Sequence, residues 1–161
     1  MAEKRFKLDR VVCARYIERV CDIDGDVALN MIDALCEFIY EATCAGFDVH
    51  FRQLGTFRLQ QHKGHAVQFG VTEKMAPYPV LKFKPMISTG RALRARDAAG
   101  GVMWKVPEGL GVPFDSQGRA SDARIDEILD VYAKRVDVLY ENMKAHGLKA
   151  DRCHIGLPIG V

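Results

Sequence analysis

At 161 residues, with 48% hydrophobic side chains and a net charge of +2, the chain is long enough for one ordinary domain, or a small domain with an appendage, and can bury a core. No apolar run approaches the ~18–20 residues that span a bilayer. The opening residues MAEKRFK contain no apolar stretch of the kind a secretory signal needs, so secretion is not expected.

Charge is spread unevenly. Residues 1–96 hold 15 Lys/Arg against 11 Asp/Glu, net +4, and residues 97–161 hold 8 against 10, net −2. Within 58–84, Arg58, Lys63, Lys74, Lys82 and Lys84 face the single acid Glu73, an excess that points to a polyanionic partner. The five cysteines, Cys13, Cys21, Cys36, Cys44 and Cys153, form no CxxC pair. Four of them fall in apolar-periodic segments, where a free cysteine packs as a small hydrophobe, and a reducing, intracellular setting is expected.

In chain order, residues 8–21 place Leu8, Val11, Val12, Ile17 and Val20/Cys21 at helical spacing. Asp24 is suited to cap a second helix over 25–44, with Asp26 in its first turn favouring the positive end of the dipole. Ala28, Met31, Ile32, Leu35, Cys36, Phe38, Ile39 and Ala42 give that helix a stripe too wide for one neighbour, so a partner subunit is expected to cover part of it. Gly46 marks its end.

Residues 48–52 (DVHFR) alternate at period 2 with Val49 and Phe51 inward, and Gln53-Leu54-Gly55 forms a turn. Phe57 and Leu59 restart the alternation. Residues 60–77 have too few regularly spaced apolar residues to anchor in a core, and predict a projecting hairpin with turns at Gly64 and Phe69-Gly70. A return strand follows over Tyr78–Phe83, then a third helix beginning at Gly90, capped by Ser88 or Thr89.

Beyond Ala98-Ala99-Gly100-Gly101 lies a Gly/Pro-rich segment to Gly118 in which Trp104 is expected to seek burial. Ser121 caps a helix of about 25 residues. Its residues Ile125, Leu129, Tyr132, Val136, Leu139 and Met143 form a heptad seam, fit to dock on the body or on another chain's helix. Gly147 ends it, and the tail CHIGLPIGV (153–161) is apolar enough to need a surface to lie on. The chain has no nucleophile elbow, Walker A loop, HExxH or dinucleotide fingerprint, so no enzymatic activity and no cofactor are expected. His62 and His65 have no third ligand nearby in sequence, so no metal site is expected either.

The order helix, helix, strand, strand, long hairpin, strand, helix, together with DVHFRQLGTFRL (48–59) and FKPMISTGRALR (83–94), resembles the HU/integration host factor family of bacterial DNA-bending proteins over about residues 6–96. The first stretch is similar to the family's Gly-Phe-Gly-Thr-Phe turn, and the second to its Phe-Lys-Pro-Gly-Lys-x-Leu-Arg closing stretch. The resemblance implies an α+β, HU/IHF-like intertwined homodimer: two N-terminal helices, a three-stranded sheet with a protruding β-ribbon arm, and a closing helix, followed here by a C-terminal helical extension. The division expected is an HU/IHF-like domain over 1–97, a linker loop over 98–120, and the amphipathic helix with its tail over 121–161. Met31, Leu35, Phe38, Ile39, Phe51 and Phe57 would form the dimer core.

The resemblance also implies non-specific double-stranded DNA as partner. Arg58, Lys63, His65, Lys74, Lys82, Lys84, Arg91 and Arg94 are the candidate contacts, and location in the cytoplasm with the nucleoid is implied. Where the family's arm tip carries Arg-Asn-Pro-x-Thr-Gly, this chain has HAVQFGVTEKMAP (65–77), with no proline between Gln60 and Ala76. Phe69 or Met75 is left as the apolar wedge, unless those residues pack on protein instead. The first turn glycine of the family is Gln53 here. These departures keep a second expectation open: a structural protein of a phage particle, or of another assembly, that reuses the fold as an interaction scaffold, with virion location and partners reached through the C-terminal helix and tail.

Overall fold

The computed structural model describes residues 7–52, 54–64, 66–69, 71–74, 76–105 and 121–148, with 66–69 and 71–74 described as backbone alone. Among these residues the elements follow in the order α1 (Arg10–Cys21), α2 (Gly25–Cys44), β1 (Val49–Phe51), β2 (Gly55–His62), β3 (Ala66–Phe69), β4 (Val71–Lys74), β5 (Tyr78–Pro85), α3 (Ile87–Ala98) and α4 (Asp122–Ala145). The fold class is α+β as expected. Contacts group the chain into two compact units, residues 34–92 and residues 1–33 with 93–161.

Local chemistry sets the helix ends. Asp9 caps α1 by accepting from the backbone N–H of Val11 and Val12, both at 3.1 Å. Asp24 does the same for α2, accepting from Asp26 at 2.9 Å and Val27 at 3.3 Å. At the other end of α2, Gly46 takes a positive φ of 93°. Its N–H reaches the Thr43 carbonyl and that of Phe47 reaches Ala42, the paired bonds of a Schellman stop. The third helix starts at Ile87, three residues earlier than expected. The carbonyl of Met86 accepts the first helical bond, from Gly90, so Ser88 and Thr89 lie in the first turn instead of capping it. The Thr89 hydroxyl donates to the Leu54 carbonyl.

In the unit of residues 34–92, β1, β2 and β5 form an antiparallel sheet in the order β1-β2-β5, and β3 pairs with β4 as a separate hairpin. The pairs Val49↔Phe57, Phe57↔Phe83 and Leu59↔Leu81 place those side chains on one face. Phe51 packs edge-on against Phe57 at 6.1 Å, and Phe57 lies 4.9 Å from Phe83.

The other unit holds α4 against α1. Ser121 caps α4, accepting from the Arg124 N–H at 3.2 Å. Val12, Ile125, Ile128 and Leu129 make a fully buried cluster, and Tyr16 meets Tyr132 edge-on at 5.9 Å. The heptad seam missed Ile128, which is 1% exposed. A helix on a globular body buries i, i+3, i+4 and i+8, here Ile125, Ile128, Leu129 and Ala133, a broader stripe than a two-helix seam. Alongside runs an ionic ladder: Arg15 reaches Asp122 at 3.0 Å, and Arg19 reaches Asp126 at 2.7 Å and Asp130 at 3.8 Å. Such exposed pairs are individually weak and act chiefly to fix the register of the two helices.

Farther along α4, Met143 packs so closely on Gly101 that a Cβ there would stand 2.7 Å from Met143 Cγ. Asn142 donates to the Gly100 carbonyl at 3.0 Å, and Arg96 lies over the Tyr140 ring at 5.8 Å. Trp104, expected to be buried, is 74% exposed and held by its indole N–H donating to Asp97. Among the described residues, no helix is long and apolar enough to cross a membrane.

Replacing Ile128 by alanine should cost about 2–5 kcal/mol in chemical denaturation, the range for a buried aliphatic truncated in a core. Val138→Ala, on the exposed side of the same helix, should change stability by less than about 0.5 kcal/mol.

Candidate nucleic-acid interface

The candidate site is the sheet face opposite the phenylalanines. Side chains alternate along a strand, so the residues between the apolar ones share the other side. On β2 these are Thr56, Arg58, Gln60 and His62, and directly across on β5 stand Lys84, Lys82, Val80 and Tyr78. Arg58 therefore faces Lys82 across the strands, with Lys84 one pair away. Two cations opposed in this way repel each other unless a counter-charge is supplied.

Asp48, just ahead of β1, supplies it for Arg58 through a direct ion pair. That hydrogen bond first, and then the carboxylate charge, raise the guanidinium pKa further above its already high value. Lys82 and Lys84 are exposed and make no ion pair among the described residues. They are the cations this face offers to solvent. His50 bonds Thr56 across β1 and β2 at 2.8 Å. At the far end His62 stacks on Tyr78, ring centroids 5.0 Å apart and 18° from parallel.

Of the residues expected from sequence, Arg58, Lys82 and Lys84 are brought together on one face. Lys63 follows immediately after β2 and is exposed. Arg91 and Arg94 stand nearly one turn apart on α3, both exposed, on a separate element. Lys74 closes the β3–β4 ladder opposite Ala66, but its side chain, like those of His65, Phe69 and Met75, lies outside the described residues. The reading of residue types alone missed Asp48 as partner of Arg58, and Tyr78 as the stacking partner of His62. A parity count would have found the second, since 62 and 78 share the strand face of 58, 82 and 84.

The opposite face and α2 tell a second story. Phe83 is 42% exposed and Leu81 46%, and along α2 Met31, Leu35 and Phe38 are each 45–59% exposed. Ile39, Phe51 and Phe57 are half-buried. Only Ala28 and Thr43 of the 20-residue α2 are buried.

No family model matches the chain, and no curated protein matches it. Solved structures do: an Anabaena HU–DNA cocrystal structure aligns with a TM-score of 0.50 at 16% identity, over 55% of this chain and 98% of that one. The likeness shows an HU-like fold.

The register that builds this face depends on close backbone approach at Gly55, where a Cβ would stand 2.3 Å from the Lys84 carbonyl oxygen. Gly55→Ala should destabilise the fold by about 1–3 kcal/mol, as overpacking does. Thermal melting would show the loss as a drop in Tm of several degrees.

Proposed function

We propose that the protein is a sequence-tolerant binder of double-stranded DNA that works as an intertwined homodimer, bending or coating the duplex with two β-ribbon arms. The observation that carries the reading is the two-faced sheet: cations on one side, and on the other an apolar surface left open. An exposed apolar patch of this extent on a helix and a sheet needs a cover. A second copy supplies one if the second helices cross and the two sheets sit above them, with Met31, Leu35, Phe38, Ile39, Phe51 and Phe57 as the shared core. The likeness to an HU crystallised with DNA supports this geometry.

Doubling the sheet doubles its lysines. Lys63, Lys82 and Lys84 from two subunits give about six phosphate contacts, and each neutralised phosphate contributes about −0.9 to the salt slope. Arg91, Arg94, Lys74 and His65 add to that where they reach the backbone. The face offers no helix bearing Arg, Asn or Gln for the major groove, so recognition rests on charge and shape. Phe69 and Met75 are the candidates for an arm wedge, and nucleoid association follows from such binding. One observation favours the scaffold reading instead: Arg58 is already neutralised by Asp48, which leaves a thinly charged face.

Fluorescence anisotropy on a random-sequence duplex decides between the two. A log–log salt slope of about −5 is expected for six phosphates. Absence of binding even at low salt would discard the DNA reading and leave the scaffold. Lys82→Ala with Lys84→Ala should flatten the slope by about 3–4, and Asp48→Asn, which frees Arg58 in both subunits, should steepen it by about 2. Light scattering after size exclusion should give twice the 18.0 kDa chain mass.

A further inference from the structure

A second apolar surface lies in the unit formed by residues 1–33 and 93–161, and the DNA-binding reading leaves it unused. It is an open groove of about 330 Å³ between α1 and α4, lined by Leu8, Val12, Cys13, Tyr16, Leu129 and Tyr132. Leu8 and Cys13 stand either side of the α1 cap, positions where a hydrophobic pair commonly closes over a helix start. Yet Leu8 remains 46% exposed, and the groove offers carbon, one sulfur and almost no polar partner. Neither a phosphate backbone nor a charged peptide matches such a lining.

The chain carries a segment that does match. Residues 155–161, IGLPIGV, set Ile155, Leu157, Ile159 and Val161 at every second position, with Gly156, Pro158 and Gly160 between them. In an extended conformation all four aliphatic side chains fall on one side and the small residues on the other. No Lys, Arg, Asp or Glu occurs after Arg152. The proline has no N–H to desolvate when pressed on an apolar surface.

The end of α4 allows the return. Gly147 takes a positive φ of 74°, its N–H donates to Lys144 and that of Leu148 to Met143, so a Schellman turn takes the chain off the helix axis. Back along α4 from Leu148 to Tyr132 is about 24 Å at 1.5 Å per residue. Seven extended residues, from Leu148 to Ile155, cover about 23 Å at 3.3 Å each. An extended run of that length would bring Ile155 level with Tyr132.

We infer that residues 155–161 dock, extended, in the groove between α1 and α4 of their own chain. The docked strand covers Leu8 and Cys13 and fastens α4 to α1 beside the arginine–aspartate ladder.

Cys13 is a native reporter of this contact. Its thiol is exposed in the open groove, with partial desolvation and then the Asp9 charge raising its pKa, while Cys21, also exposed, lies at the end of the same helix outside the groove. Thiol labelling of Cys13 should quicken at least about tenfold, equivalent to about 1.4 kcal/mol of docking, when the chain is truncated after Leu148. Leu157→Asp with Ile159→Asp in the full chain should give the same acceleration. Cys21 labelling should stay constant in all three chains, which shows that α1 remains folded. Equal Cys13 rates across the three would overturn the inference. A full chain with Leu157→Cys, keeping Cys13 and with the other cysteines replaced by alanine, should form an intramolecular disulfide under diamide. Disulfides formed only between chains would assign the groove to a second copy and overturn docking in cis.

Discussion

The pairing of Phe57 with Phe83 across β2 and β5 is the constraint from which the site follows. A strand cannot choose its two faces independently: once the phenylalanines meet, Arg58 must stand opposite Lys82, and Thr56 opposite Lys84. A slip of one residue would turn the lysines inward and the rings to water. Glycine at position 55 holds this register because only a residue without a Cβ lets the two backbones come so close. The apolar and the cationic faces are thus one feature seen from two sides.

The helix α2, for its part, looks unfinished. A helix that buries only Ala28 and Thr43 while leaving Met31, Leu35 and Phe38 half in water gains little from its own chain. By contrast α4, no richer in apolar residues along its length, buries Ile125, Ile128, Leu129, Ala133 and Met143. The molecule completes one helix pair internally and leaves the other surface open. An exposed apolar face of this kind is the feature on which the proposed pairing of two copies rests.

Much of this was legible in the amino acids because it depends on local rules. Asp24 and Gly46 bracket α2 through capping bonds that span only a few residues, and the strand alternation at 49–51 and 57–59 is a period-2 pattern any reader can count. What escaped notice depends on residues far apart. Arg15 and Arg19 find Asp122 and Asp126 across 107 positions, and no spacing rule connects them. Asp48 meets Arg58 only after two strands pair. The onset of α3 lies earlier because Ser and Thr are acceptable in a first turn as well as at a cap, and the Thr89 hydroxyl donates to the Leu54 carbonyl instead of capping. Of the site, the residue types were readable and their shared face was derivable by parity. Their pairing state was not.

Among the described residues of the unit formed by 1–33 and 93–161, Trp104 is a large ring that the fold leaves in water, its indole N–H donating to Asp97. It is also the only tryptophan in the chain. Its emission in the native state should therefore be close to that of a hydrated indole, with little further red shift on unfolding. The same ring is a sensitive optical beacon for contact: anything that seats against residues 97–105 and excludes solvent must shift the spectrum to the blue, with no label required.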